Sequence, residues 1–154
     1  MRCSVSIARV HTADLEQVVA LLRAQLHEHN IETPESELRD VTEAVISESR
    51  HGFLMLAHEH GRAVAVAYAA SHLSAEHGGI VGWLEELYVA PEARARGIGS
   101  QLLAETISRA QGLGWRALEL EVVAGHERVV SLYERHGFQR LERTRFTKLF
   151  TPHA

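Results

Sequence analysis

The stretch WLEELYVAPEARARGIGSQLLAETISRA, residues 83 to 110, restricts the fold more than any other part of the chain. It opens with a strand-like apolar run, breaks at Pro91 and passes two arginines. Two glycines one residue apart then lead into an amphipathic helix predicted over residues 97 to 111. A strand that hands over to a helix through so short a turn is the unit from which layered α/β sheets are built. A second such unit follows. ALELEVV (117–123) reads as a strand, and HERVVSLYERHG (126–137) as a helix stopped by Gly137.

The rest of the chain supplies the other strands and two more helices. CSVSIARV (3–10) alternates enough to be a first strand. After it, Thr12 or Asp14 caps a helix whose apolar positions Leu15, Val18, Val19, Leu22 and Leu26 keep the helical period. TPESELRDVTEAVISESRHG (33–52) reads as a second helix, with Thr33 as N-cap, Pro34 in the first turn and Gly52 as its stop. FLMLAHEHGRAVAVAYAASHL (53–73) is an antiparallel hairpin turning at Glu59–Arg62. The glycine-rich EHGGIVG (76–82) connects it to the strand at 83–89, and FQRLERTRFTKLF (138–150) supplies one or two closing strands. The expected order is β-α-α-β-β-β-α-β-α-β, a mixed α/β sheet with helices on both faces, because several strands are too apolar to leave a face wet. With no linker, repeat or low-complexity tract, residues 1–154 read as a single domain.

Composition excludes several function classes. Sixteen Lys+Arg against 20 Asp+Glu give a net charge of −4, which argues against nucleic-acid binding by bulk charge. Cys3 is the only cysteine, so neither an intrachain disulfide nor a zinc-ribbon spacing is available. No apolar stretch is long enough for a membrane span, and the first residues lack a signal-peptide pattern, so a cytoplasmic protein is expected. His58 and His60 share a strand face without a third ligand at coordinating spacing, and no metal is expected.

The glycine turn implies an anion. A helix N-terminus presents unpaired N–H groups and about half a positive charge. Gly97 and Gly99 leave room for a ligand to approach the amides of residues 95 to 100, and Arg94 and Arg96 add charge. The P-loop pattern fails for want of its lysine. The dinucleotide fingerprint fails because Leu102 stands where its third glycine belongs. What remains is Arg-x-x-Gly-x-Gly, Arg94–Gly97–Gly99, after LYVAPE, with VVSLYERHGF about thirty residues on. These two blocks strongly resemble the GNAT superfamily of N-acetyltransferases, well over residues 82 to 141 and by element order before that.

The resemblance implies acetyl-CoA as cosubstrate. Its diphosphate would rest on Arg94, Ala95, Arg96, Gly97, Ile98, Gly99 and Ser100, and its pantetheine arm along Leu87, Tyr88 and Val89. In family members the fourth and fifth strands splay to admit that arm, often beside a β-bulge. The family often carries an asparagine where His126 stands, and imidazole can still donate one hydrogen bond to the arm.

Acetyl transfer to an amine needs a proton acceptor, because an amine with a pKa near ~10 is almost wholly protonated at neutral pH. Glu85 and Glu86 are adjacent on a strand, so at most one faces a given cleft. By the family pattern Glu85 holds the phase of the general base, with Glu86 in reserve. The resemblance also implies a backbone N–H near Leu87 polarising the carbonyl, and Tyr133 protonating the departing sulfur. By position alone, Glu28, His29, Tyr68 and Trp83 are candidates to touch the acceptor. The expected activity is direct acetyl transfer to a small-molecule amine or amino acid in a ternary complex, with a protein amine behind. A non-catalytic acyl-CoA sensor is the alternative. Strand edges near either terminus are compatible with a homodimer.

Overall fold

A computed structural model describes residues 4–151, which form two compact units, one up to Glu121 and one from Val122. Cys3, and with it the start of the expected first strand, lies outside the described residues.

The first unit contains β1 (Val5–Arg9), α1 (Leu15–Glu28), α2 (Glu35–Ser47), β2 (Gly52–Glu59), β3 (Arg62–Ser74), β4 (Gly79–Val89), α3 (Ile98–Gly112) and β5 (Ala117–Glu119). The strands lie in the order β1-β2-β3-β4-β5. The first four run antiparallel to their neighbours, and β5 returns parallel to β4 by way of α3. The sheet is therefore mixed, as the sequence predicts.

Alternate residues of β2 serve the two faces, which is why the strand is apolar throughout. Leu54 and Leu56 join Val18, Val19 and Leu22 of α1 and Leu38 and Val45 of α2 in one core cluster. Phe53, one residue out of phase, meets Trp115 at 5.2 Å between ring centroids and has the Arg109 guanidinium of α3 over its ring. On α3, Leu102 and Leu103 are fully buried. Each such side chain contributes about 1.5–3 kcal/mol relative to exposure. Two buried hydroxyls are satisfied within their own helices: Thr42 donates to the Leu38 carbonyl at 2.8 Å and Thr106 to that of Leu102 at 2.7 Å.

Local boundaries differ from expectation for identifiable reasons. Pro34, extended at ψ 138°, itself occupies the cap position of α2, which starts one residue later than a Thr33 cap requires. Gly52 does not stop α2. The helix ends at Ser47, a 3-10 turn spans Ser49–His51, and Gly52 opens β2 at φ 110°. A Cβ there would fall 1.9 Å from the Ala69 carbonyl oxygen. The glycines at 79 and 82 belong to β4, not to a loop, because Gly82 lies beneath Trp115 and Leu118, whose side chains leave no room for a Cβ. β5 forms over three residues instead of seven, its ladder to β4 ending at Trp83 opposite Glu119.

The second unit has a 3-10 turn at Glu127–Val129 followed by α4 (Val130–Arg135), with Gly137 at φ 89° just beyond, as expected of a helix stop. The expected closing strands over 138–150 do not form, and residues 138–151 carry no strand. A strand needs a ladder partner, and the described residues of this unit form helix and turn alone. The apolar residues Phe138, Leu141, Phe146, Leu149 and Phe150 also keep no consistent period of two.

Candidate active site

The chemistry-bearing residues of the first unit gather along the second half of β4 and the turn into α3. β3, from Ala65 to Ser74, pairs with β4 from Val89 back to Gly79, with one irregularity. Tyr68 lies opposite Glu86 and its neighbour Ala69 opposite Leu84, so Glu85 is an extra residue on a β-bulge. On the other side, β5 accompanies β4 only from Val81 to Trp83. From Leu84 to Val89, no strand among the described residues pairs with the outer edge of β4.

The bulge places two carboxylates in different surroundings. Glu85 is exposed, and Glu86 is partly buried. Burial pushes the Glu86 carboxyl above the usual carboxylate range; a hydrogen bond with Gln25 of α1 works against this, and the neighbouring charge of Glu85 adds to it. The Tyr68 phenol is likewise raised, first by burial and then by Glu85. Glu85 is thus a charge that two neighbouring groups register. Tyr88, two residues beyond Glu86, belongs to the α1–α2 core cluster.

Past Val89 the chain makes a short 3-10 turn at Pro91–Ala93 and reaches Gly97, the N-cap of α3, which carries no side-chain cap. The two glycines of the turn have different grounds. Gly97 sits at φ 80°, where any side chain is strained. At Gly99 an added Cβ would meet only the Val89 side chain at 3.5 Å, an ordinary contact, so protein packing does not demand glycine there. Ala95 adopts φ 63° without being glycine.

Both arginines are held by carboxylates. The Arg94 guanidinium donates to both oxygens of Glu28 at 2.8 and 3.0 Å and to the Val89 carbonyl at 2.8 Å, and lies over the Tyr88 ring. Arg96 donates to both oxygens of Glu59 at 2.5 and 2.8 Å. Glu28, expected from its position as an acceptor contact, is thus the ion-pair partner of Arg94. His29 is the C-cap of α1, and Trp83 is half-buried in the part of β4 paired on both sides. Sequence reasoning missed Gln25 and Glu59. Gln25 could have been found as a polar residue inside the stripe from Leu22 to Leu26. Glu59 left no such signal, because its partner is 37 residues away.

His126 and Tyr133 belong to the second unit. His126 is the N-cap of the 3-10 turn, and its N–H donates to the Val123 carbonyl at 3.0 Å. Tyr133 lies on α4 with its ring edge-on to Phe138 at 5.7 Å. Beside them, the Glu127 carboxyl is held below its usual range, chiefly by the Gly125 N–H. Among the described residues, no group of three or more His, Cys, Asp or Glu is gathered as a metal site, and no helix is long and apolar enough to cross a membrane.

Comparison with known proteins agrees with this architecture. The chain is similar to the integron cassette protein HFX_CASS3 from the mobile metagenome of Cole Harbour Salt Marsh, at 24% identity and a TM-score of 0.84 over 95% of this chain and 91% of that one. It is similar to the aminoglycoside N-acetyltransferase AAC(6')-Iy, solved in complex with CoA, at 21% identity and a TM-score of 0.82 over 95% of each chain. A predicted acetyltransferase from Clostridium acetobutylicum, solved with acetyl-CoA, follows at 18% identity and a TM-score of 0.78, over 94% of this chain and 96% of that one. No curated protein matches significantly. The model of the acetyltransferase (GNAT) family matches residues 15–138. The strand, the turn and the helix it enters thus lie within the matched region, and the chain belongs to the GNAT family of acetyltransferases.

Proposed function

We propose that this acyltransferase moves an acetyl group from acetyl-CoA to the primary amine of a small cationic molecule or amino acid, by direct attack in a ternary complex. The observation that carries the reading is the one-sided pairing of β4. From Leu84 to Val89 no strand among the described residues pairs with its outer edge, and that edge leads directly to the uncapped start of α3. An extended amide-bearing arm can pair with such an edge while an anion rests on the helix amides. The glycine at 99, which packing does not require, leaves space for a ligand against the backbone. Leu87, Tyr88 and Val89 would hold the arm, and the segment Arg94–Ser100 the diphosphate. The CoA and acetyl-CoA complexes of the structural neighbours support the same cosubstrate.

When bound, acetyl-CoA supplies an activated acyl carbon and a thiolate leaving group. The chain's own groups do the rest. Glu85, exposed on the bulge, attracts the ammonium form of the acceptor and accepts its proton. Glu86 adds negative charge beside it once ionised. A backbone N–H near Leu87 donates to the carbonyl oxygen as charge develops there. On the family resemblance, Tyr133 protonates the departing thiolate, a transfer within reach of a phenol with a pKa of about 10, and His126 donates a hydrogen bond to the arm. With no cysteine in either motif, the acyl group passes directly to the amine.

Two measurements test this. Calorimetry should detect binding of CoA, and a thiol-release assay with acetyl-CoA and a panel of small amines should show turnover. Binding without turnover on any amine would favour an acyl-CoA sensor, and absence of binding would overturn the reading.

A further inference from the structure

We propose that Glu59 is a positioning residue for the cosubstrate loop, acting through Arg96. The inference rests on the acetyl-CoA reading of that loop. The two arginines of the turn resemble each other in sequence and differ in setting. Arg94 pairs with Glu28, whose side chain is 40% exposed. Arg96 pairs with Glu59, whose side chain is only 8% exposed. A carboxylate buried to that degree is stabilised by a forked, charge-assisted partner, and loss of that partner leaves an uncompensated charge. Arg96 is therefore committed to Glu59 and is not free to turn toward an anion.

The position of that commitment in the chain gives it a purpose. Arg96 immediately precedes Gly97, the N-cap of α3, and both its neighbours, Ala95 and Gly97, have positive φ, 63° and 80°. The backbone thus makes two left-handed steps with a pinned side chain between them. Arg96 also reaches the Glu92 carbonyl at 3.5 Å, and Arg62, at the start of β3, pairs with the Glu92 carboxylate at 3.4 Å. The end of β2 and the start of β3 together hold the turn from below, fixing the direction in which the first amides of α3 point. Glu59 touches no substrate in this account; its effect is on amide orientation.

The experiment is a cycle of Glu59→Gln, Arg96→Gln and the double variant, read by CoA calorimetry, by KM against kcat, and by hydrogen exchange of amides 101–104, the first bonded turn of α3, in CoA-free protein. Positioning predicts that each single variant weakens CoA about tenfold, the scale of one lost charged hydrogen bond. It also predicts that the double variant is no worse than either single, and that KM for acetyl-CoA rises more than kcat falls. Exchange at 101–104 should accelerate in Glu59→Gln, because a loosened turn frays the first bonded turn of α3. If Arg96 instead binds the anion and Glu59 merely competes for it, Glu59→Gln will leave CoA affinity unchanged or tighter while Arg96→Gln weakens it, and the proposal falls. Should Glu59→Gln fail to fold, Glu59→Asp keeps the charge but shortens its reach, and must still weaken CoA. If the wild type itself binds no CoA, the cosubstrate reading fails, and the exchange data alone decide whether Glu59 orders the loop.

Discussion

The two halves of β4 are continuous in sequence and opposite in character. From Gly79 to Trp83 the strand runs against β3 and gains β5 on its other side from Val81, with Gly82 pressed beneath the Trp115 ring. From Leu84 to Val89 it pairs, among the described residues, with β3 alone, carries a bulge, and holds two adjacent carboxylates. The first half spends its residues on packing, and its polar demands are met by ladders. The second half carries the bulge and the two carboxylates, and among the described residues no strand pairs with its outer edge. On the proposed function, a single strand is structural at one end and chemical at the other, with the change falling where the β5 ladder stops.

That contrast can be broken from either end. The largest effect is expected at the chemical end. Glu85→Gln should lower kcat/KM by about 10²-fold, the lower range for loss of a general base, while melting temperature and CoA affinity stay close to wild type. Equal rates in the variant would remove Glu85 from the mechanism. At the structural end, Gly82→Ala puts a Cβ 2.4 Å from the Trp115 ring. It should cost about 1–3 kcal/mol in denaturant unfolding, the range for overpacking, with activity per folded molecule retained. A stability loss confined to Glu85→Gln would invert the comparison.

The smallest effect sharpens the boundary. Folding raises the affinity of Glu86 for its proton, so the favourable contribution is fully present below the ordinary carboxylate pKa and is lost as pH rises through the raised folded value. Glu86→Gln should abolish that pH-dependent component, flattening the stability profile between acid and neutral pH. Glu85→Gln should move the same component to lower pH, because it removes one of the two causes pushing Glu86 up. Chemical-denaturation midpoints across the acid range would measure both.

The sequence disclosed some of this directly. The apolar stripe of α1 and the Arg94–Gly97–Gly99 turn are local patterns, each complete within about one helix or turn, and both stand where expected. The first residues of β4 were misread as a loop because Gly79 and Gly82 look like turn residues. The reason for Gly82 is Trp115, a packing partner far along the chain. The ion pair between Glu59 and Arg96 was hidden by the same distance, and Glu85 and Glu86 could be ranked only by family phase, since the bulge that separates their surroundings depends on β3. The aromatic residues near the end of the chain suggested strands, but β-forming composition does not supply a partner to pair with. What can be read locally is local in cause. The remainder is decided by which segments meet.

The run of β4 that no strand among the described residues accompanies on its outer side has one more consequence. Open strand edges invite intermolecular association, and proteins commonly guard them with charge, bulges or a cover. Here the bulge at Glu85 and the two acids supply the first two of these. A pantetheine-bearing molecule lying along the edge would be the third, so the ligand would act as a solubility aid as well as a reactant. Starved of it and concentrated, the protein should be at its most prone to self-association.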